Sequence, residues 1–410
     1  MKFLFISEDG DGLGLALRVV NEGNEVAMWV RHDQSKDIGK GLVERIHDGF
    51  SFTPDRETVY VFDCTGSGHF ADILRSTGHY VIGGAILADR LEMDRLYARE
   101  VMKECGFTLP KSKKFGDVEA AIEFLQEHAD MLVVKPMGES SGVVPSFVAK
   151  DVDELVHRLE EFRGKPVEFE LQQFVKGTDI STEVWFDGRD RICPCNHTLE
   201  AKAYGNGDLG PATGCSGNVV WASEDELIEN TVHKLDNFLQ DNDYRGPIDV
   251  NCIVAEDDVY ALEFTPRFGY DAMPALMYGL LEVECGQFLS DFARGQLSEM
   301  PLTAGFAAGL RVSIPPYPTL HGDAKGGVVV KTREQFYPMD LMSVGKELQS
   351  AGSHGILGVA IGHGLTIESA VAEAESVAKK IQVPDKFYRT DIVETLMRKH
   401  RKVEQTIGIH

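Results

Sequence analysis

The stretch "YALEFTPRFGYDAMPALM", residues 260–277, decides how this chain is read. Tyr260, Leu262 and Phe264 alternate with Ala261, Glu263 and Thr265, a period of two that predicts a half-buried strand. Pro266 and Gly269 end it, and Arg267 leaves a positive charge at its exit. Upstream, "DVNCIVA" begins at Asp249, and Glu256–Asp258 supplies a turn. A three-residue turn sets Asn251 opposite Glu263 and Asp249 opposite Thr265 in an antiparallel hairpin. Residues two apart on a strand share a face, so these four gather oxygen donors on one side. Such a set suits Mg²⁺, which takes one or two carboxylates plus phosphate oxygens and water. Arg267 would then hold a further phosphate, or charge developing in a transition state. The same four residues also fit the wet face of an edge hairpin, and a one-residue slip would scatter them.

The segments before the hairpin predict other layers. "KFLFIS", "DGDGLG", "LALRVVNEG" and "NEVAMWV" give strand, glycine turn, helix and strand, the opening of a parallel α/β domain. "TVYVFDCTGSGHF" repeats the theme, and the first domain is placed at 1–90. "MLVVKPMGESSGVVPSFVA" predicts two strands joined by a Gly/Ser loop. Asp117 is expected to cap one helix, Asp151 with Glu154 to form a capping box, and Ser223 with Glu226 to start "DELIENTVHKLDNFL". "YGNGDLGPATGCSGN" reads as a long loop. Beyond about residue 300 come strands and the helix "IESAVAEAESVAKKI", a smaller α+β unit.

Composition narrows the class. A chain of 410 residues exceeds one ordinary core. Apolar content of 43% and charged content of 26% are those of a soluble globular protein. A net charge of −24 speaks against duplex nucleic acid and anionic membrane as partners. The basic run "RKHRK" (398–402) is expected to be the solvated end of a C-terminal helix. Seven scattered cysteines, with Cys193 and Cys195 in C-P-C, predict reduced thiols in a cytoplasmic protein and no zinc spacing. The first residues are too short an apolar run for a signal peptide, and no stretch reaches the ~20 apolar residues that span a bilayer.

Three segments are phosphate candidates. Lys135 leaves the apolar run "MLVV" and could set a point charge on a polyphosphate, or be an ordinary strand-end lysine. "GESSGVV" (138–144) could fold its amides over phosphates or be a hairpin tip; it is not a Walker A sequence. "DGDGLG" (9–14) is a weak relative of the dinucleotide-binding turn.

Taken in order, the segments resemble the ATP-grasp ligases, and among them the glycinamide ribonucleotide synthetase family. "LGPATGCSG", "ALEFTPRFG" and "ILGVAIGHGLTIESAVAEAESVAKKI…FYRTDI" carry the resemblance. It implies an α/β and α+β multidomain fold. The parts are an N-terminal Rossmann-like (pre-ATP-grasp) domain at 1–90, ATP-grasp domains at 91–300 and a small C-terminal α+β domain at 301–410. The nucleotide-clamping subdomain would span about 107–175. The resemblance also implies roles. ATP would be met by Arg95, Lys135, the flap residues Gly138, Ser140, Ser141 and Gly142, the hinge Gln172, Gln173, Phe174 and Val175, and Asp179 at the ribose. Mg²⁺ (or Mn²⁺) would sit at Glu263, Thr265, Asp249 and Asn251. Substrates would meet Gly12, Gly14, Gly66, Gly68, Gly210, Pro211, Thr213, Gly214, Arg267 and Asp271, with Arg267 and Lys135 catalytic. The implied activity joins glycine to phosphoribosylamine through an acyl phosphate, in a monomer or homodimer.

The departures leave alternatives open. Thr265 stands at the family's magnesium-site asparagine, Val143 and Val144 replace the flap's Gly-Lys pair, and "GDGLGLAL" lacks the Arg-Glu-His of the first turn. A ligase for another amine or amino acid, and a non-catalytic nucleotide-binding relative, are the competing readings.

Overall fold

The computed structural model describes residues 1–47, 55–137, 146–319, 326–332 and 335–407. The continuous apolar runs near the N-terminus become buried parallel strands. They are β1 (Lys2–Ser7), β2 (Glu25–Val30), β3 (Glu44–Arg45), β4 (Val59–Phe62) and β5 (Tyr80–Ile82), in the order β3-β2-β1-β4-β5. Phe3 to Ile6 and Val59 to Phe62 are buried on both faces, as helix-covered parallel sheets require. The order reverses between β1 and β4, which sets the two glycine turns side by side at the carboxyl edge.

The next layer is antiparallel: β6 (Ser112–Phe115), β7 (Val133–Pro136), β8 (Phe147–Val148) and β9 (Phe169–Gln172), in the order β6-β9-β7-β8. Helices Val118–Leu125 and Val152–Glu160 give this layer a core of its own, with Phe115, Val134, Leu155, Phe169 and Leu171. Asp117 caps the first by accepting from the Ala120 amide (3.1 Å), and Asp151 the second from the Glu154 amide (2.8 Å). The Glu154 carboxylate reaches the Lys150 amide (2.8 Å), one residue beyond the expected capping box.

The largest sheet begins with β10 (Thr178–Asp187), β11 (Arg191–Gly205), β12 (Leu209–Ser223), β13 (Arg245–Val254) and β14 (Val259–Thr265). The chain then forms β15 (Phe306–Ser313), β16 (Val329–Val330), β17 (Phe336–Pro338), β18 (Leu341–Val344), β19 (Glu347–Ser350) and β20 (Ile356–Gly364). The sheet order is β14-β13-β10-β11-β12-β15-β20-β17, so the C-terminal strands extend the same sheet across residue 300. Strands β16, β19 and β18 make a separate small sheet.

Two local expectations are corrected. The glycine-rich "loop" after Tyr204 is the end of a long β11–β12 hairpin that turns at Asn206–Asp208. Gly210 (φ +85°) and Gly214 (φ +73°) supply positive φ there, which disguised the strand. The helix expected from Asp225 onward is broken into Glu226–Asn230, a 3₁₀ turn Val232–Leu235, and Asp236–Asp241. The break is at Thr231, whose buried hydroxyl donates to the Leu227 carbonyl and accepts from Thr182 (2.8 Å). The cap is Asp225, not Ser223: its carboxylate accepts from the Leu227 (2.9 Å) and Ile228 (3.1 Å) amides.

Candidate functional site

Strands β13 and β14 pair Asn251 with Glu263 and Asp249 with Thr265, the register expected from the alternation. The route to it differs. The Ala255 amide donates to the Asp258 carbonyl (3.0 Å), leaving a two-residue turn of Glu256 and Asp257. Alone, that turn would shift the pairing by one. A bulge at Leu262 absorbs the extra residue, because Cys252 pairs with Ala261 while Asn251 pairs with Glu263. The Asn251 side chain accepts from Ser181 and donates to Thr265, both at 3.0 Å. Glu263 is exposed at the mouth, whereas Asp249 is buried. Asp249 Oδ1 has no hydrogen-bond partner among the described residues. Burial, with Glu183 and Glu200 nearby, pushes the Asp249 carboxyl well above the usual carboxylate range. An all-oxygen face with one exposed carboxylate and one unpartnered buried carboxylate fits a hard divalent cation.

Strand β11 adds Thr198, Glu200 and Lys202 to the same face. Lys202 Nζ lies 3.5 Å from Glu200 and 3.6 Å from Asp179. Burial opposes its charge, but Glu200, Asp179 and Glu263 outweigh that and raise its pKa. Asp179 also accepts from Lys399 (2.7 Å), which donates to the Glu200 carbonyl as well (2.7 Å). Lys399 lies on the C-terminal helix Ile392–Ile407, so its basic run is anchored to the sheet and not simply solvated. Burial raises and the two ammonium groups lower the Asp179 pKa, with a net decrease.

Lys135 on β7 faces the same region from the small sheet, where it pairs with Glu170 on β9. Burial lowers its pKa, Glu263 raises it, and Arg95 and Lys202 lower it further. Lys135, Arg95, Lys202 and Glu263 therefore share one electrostatic field between the two sheets. Gln172 ends β9, and the Gln173 and Phe174 amides donate to the Lys111 and Asp130 carbonyls (both 2.8 Å) before Val175 leads into β10. The expected flap residues Gly138, Ser140, Ser141 and Gly142 lie outside the described residues.

A cavity of about 580 Å³ continues from Glu263, Asn251 and Lys202 to Arg267, Asp271, Thr213 and Gly214. Arg267 donates to Glu92 (2.9 and 3.2 Å) and lies over the Tyr270 ring (3.9 Å). Arg311 on β15 is buried against Asp271, donating at 3.0 Å through Nε. It also donates to the Tyr317 hydroxyl and, at 3.2 Å, to the Thr213 carbonyl. Gly210 and Pro211 are exposed near the hairpin tip, outside this lining. That tip is held by the fully buried Arg389, which pairs with Asp208 (2.9 Å) and Asp391 (2.9 Å).

Three glycine amides of the two N-terminal turns already have carboxylate partners. The Gly12 amide donates to Asp63 (2.6 Å), and the Gly66 and Gly68 amides donate to Asp89 (2.6 and 2.9 Å). Gly14 packs on Tyr337, where a Cβ would come within 2.6 Å of the ring. Asp9 and Asp11 from the first turn line the cavity. Burial, then Asp63 and Asp9, raises the Asp11 pKa to about 7, and burial raises that of Asp63 to about 6.

Sequence reasoning missed Arg311, Glu92, Glu200, Lys202 and Lys399. Only Glu200 and Lys202 had a usable signal, the period of two with Thr198 in "TLEAK".

Residues 93–272 match the family model described as "Phosphoribosylglycinamide synthetase, ATP-grasp (A) domain". The phosphoribosylamine–glycine ligase of Corynebacterium ammoniagenes is 27% identical over 343 residues, which cover 78% of each chain. That of Streptococcus pneumoniae is 22% identical, covering 92% of this chain and 98% of the relative. The trifunctional purine biosynthetic protein adenosine-3 of Drosophila pseudoobscura pseudoobscura is 25% identical over 79% of this chain, which spans 25% of that protein's length. The solved phosphoribosylamine–glycine ligase of Thermotoga maritima shares the fold, with a TM-score of 0.72 at 19% identity over 95% of this chain and 99% of that one. A biotin carboxylase domain of Hydrogenobacter thermophilus 2-oxoglutarate carboxylase, solved with MgADP and bicarbonate, aligns with a TM-score of 0.65 at 14% identity over 100% of this chain and 95% of that one.

Proposed function

We propose that this chain, an ATP-grasp protein similar to glycinamide ribonucleotide synthetase, is an ATP-dependent carboxylate–amine ligase that works through an acyl phosphate. The observation that carries this reading is the pairing of Asp249, Asn251, Glu263 and Thr265 on one face, inside the electrostatic field of Lys135. A carboxylate is a poor electrophile, and phosphorylation turns it into one that an amine attacks. Such a transfer depends on alignment and charge neutralisation, not on a protein nucleophile. Mg²⁺, held by Glu263 with Asp249 behind it, would supply Lewis-acid bridging of phosphate oxygens. Lys135 and Arg95 would neutralise the phosphates of ATP from the small-sheet side. Gln172 to Val175, as the strap between the two sheets, would border the adenine, and Asp179 would accept from the ribose hydroxyls. Arg267, steadied by Glu92 and Tyr270, would face the phosphoryl group in transit. Arg311 and Asp271 would hold the wall around the amino-acid carboxylate, beside Thr213 and Gly214.

Glycine and phosphoribosylamine are the proposed substrates, from the similarity to the phosphoribosylamine–glycine ligases. One observation favours a second reading. Carboxylates accept from the Gly12, Gly66 and Gly68 amides of the N-terminal turns, and Asp9 and Asp11 face the cavity. That surface repels a phosphate ester and attracts a cationic amine. The test is ADP and phosphate release by the purified protein with ATP, Mg²⁺ and glycine, against phosphoribosylamine and a panel of unphosphorylated amines. Release only with phosphoribosylamine supports the first reading, and release only with an unphosphorylated amine the second. Thermal stabilisation by ATP with no turnover on any amine would refute the ligase proposal.

A further inference from the structure

Cys193 and Cys195 flank Pro194 on β11, where the pairing with β10 is interrupted, and their sulfurs lie within 4.8 Å on one side of the strand. That side is the back of the sheet, away from the cavity that Thr198, Glu200 and Lys202 line. Cys195 packs there with Ile228, Val232 and Leu235. Glu224 approaches from the end of β12, its Oε1 accepting from the Cys195 amide (2.7 Å). The two sulfurs and a Glu224 carboxylate oxygen lie within 4.8 Å of one another. His233, on the 3₁₀ turn Val232–Leu235, stands beside them with Nε2 3.6 Å from Glu224 Oε2. That nitrogen is buried and makes no hydrogen bond among the described residues.

We propose that Cys193, Cys195, Glu224 and His233 form a site for a zinc-like divalent cation on the back of the large sheet. The donor mix decides the class of ion. Two sulfurs, an imidazole and a carboxylate suit a borderline-soft, tetrahedral cation and not Mg²⁺ or Ca²⁺, which take oxygen. Zinc–ligand bonds of ~2.0–2.3 Å place ligand atoms about 3.3–3.8 Å apart. The two sulfurs and the Glu224 oxygen need close by only about 1 Å to reach that range; His233, 3.6 Å from Glu224 Oε2 but outside the 4.8 Å cluster, must swing in from the turn to complete the set. The Cys193 side is part-exposed and Glu224 is 38% exposed, which leaves an entry path. Arg191, paired with Asp236, lies beside Cys193 and offsets the negative charge of the thiolates. A bound ion would staple β11, the end of β12 and the Val232–Leu235 turn. The motif C-P-C lacks zinc-finger spacing, because the remaining ligands come from a different strand end and turn.

The test uses the full chain, purified reduced and metal-free, titrated with Co²⁺. The expected result is a thiolate-to-cobalt charge-transfer band with visible bands of tetrahedral intensity, saturating at one ion per chain and displaced by Zn²⁺. Cys193→Ser, at the part-exposed position, weakens Co²⁺ binding and lowers the charge-transfer intensity per bound ion, C193S/C195S abolishes the band, and both keep thermal stabilisation by MgATP on the opposite face. His233→Ala weakens Co²⁺ binding by about 10-fold or more. Three results would overturn the proposal: wild type that takes up no more Co²⁺ than C193S/C195S, bands that persist in that double variant, or a reducible Cys193–Cys195 disulfide in a chain that binds no metal after reduction.

Discussion

Replacing Lys399 by Met tests how the C-terminal helix supports the Asp179 end of the large sheet. Strands β10 and β11 stop pairing beyond Ser181 and Thr198, and the Lys399 ammonium fills the opening. It donates to Asp179 Oδ1 and the Glu200 carbonyl, both at 2.7 Å. The side chains are 18% and 32% exposed, so the pair is only partly desolvated. A hydrogen bond between charged groups contributes ~1.5–3 kcal/mol. Solvent screening at Asp179 reduces that towards about 1 kcal/mol, and the orphaned carbonyl adds about 1 kcal/mol. K399M should therefore lose about 2 kcal/mol, a fall in Tm of about 2 °C for a chain of this length. Lys399 and Lys202 hold the Asp179 pKa below its ordinary value. The stabilisation is thus complete above the unfolded pKa of ~4 and is lost as pH falls through the lower folded value. The Tm difference should be full at neutral pH and fall to about half, the share of the Glu200 carbonyl, in strong acid. If Asp179 accepts from the ribose, KM for ATP should rise about 10-fold, the equivalent of ~1.4 kcal/mol, with kcat nearly constant. The rise should shrink for a nucleotide lacking both ribose hydroxyls. A Tm difference that is zero at neutral pH, or equal in acid, would refute the electrostatic part. An unchanged KM would refute the link to ribose.

Further outcomes follow from the same geometry. Arg311→Met leaves Asp271 buried and unpaired, so it should cost ~3–5 kcal/mol in denaturant unfolding, where a surface arginine would cost almost nothing. Asp11→Asn should raise Tm at about pH 8 but not at about pH 4. The folded pKa of about 7 lies above the unfolded one, so the native acid binds more protons and loses stability as pH rises between them. Glu263→Gln should reduce Mg²⁺-dependent turnover by more than the ~10–100-fold typical of supporting residues, while circular dichroism stays native.

The parts legible in the sequence are those set by local patterning. "KFLFIS" and "VYVF" are continuous apolar runs, and both became buried parallel strands. The carboxylate hairpin was also legible, although two departures from the expected path cancelled: a turn one residue shorter and a bulge at Leu262. Contacts made by distant segments were not legible. Nothing local to "FAAGLRVSI" says that β15 pairs with β12 or that Arg311 meets Asp271. "RKHRK" reads as a cationic helix end, and only the separation of β10 from β11 gives Lys399 its partners. The resemblance set Gly12, Gly66 and Gly68 against substrate, and nothing local shows that Asp63 and Asp89 reach their amides from 51, 23 and 21 residues away.

A crystal structure with Mg²⁺ and a non-hydrolysable ATP analogue tests the central claim most directly. The account predicts a metal within ~2.0–2.1 Å of a Glu263 oxygen, the phosphates between that ion and Lys135, and the ribose at Asp179. A triphosphate bound elsewhere, or a metal that leaves Glu263 untouched, would contradict it.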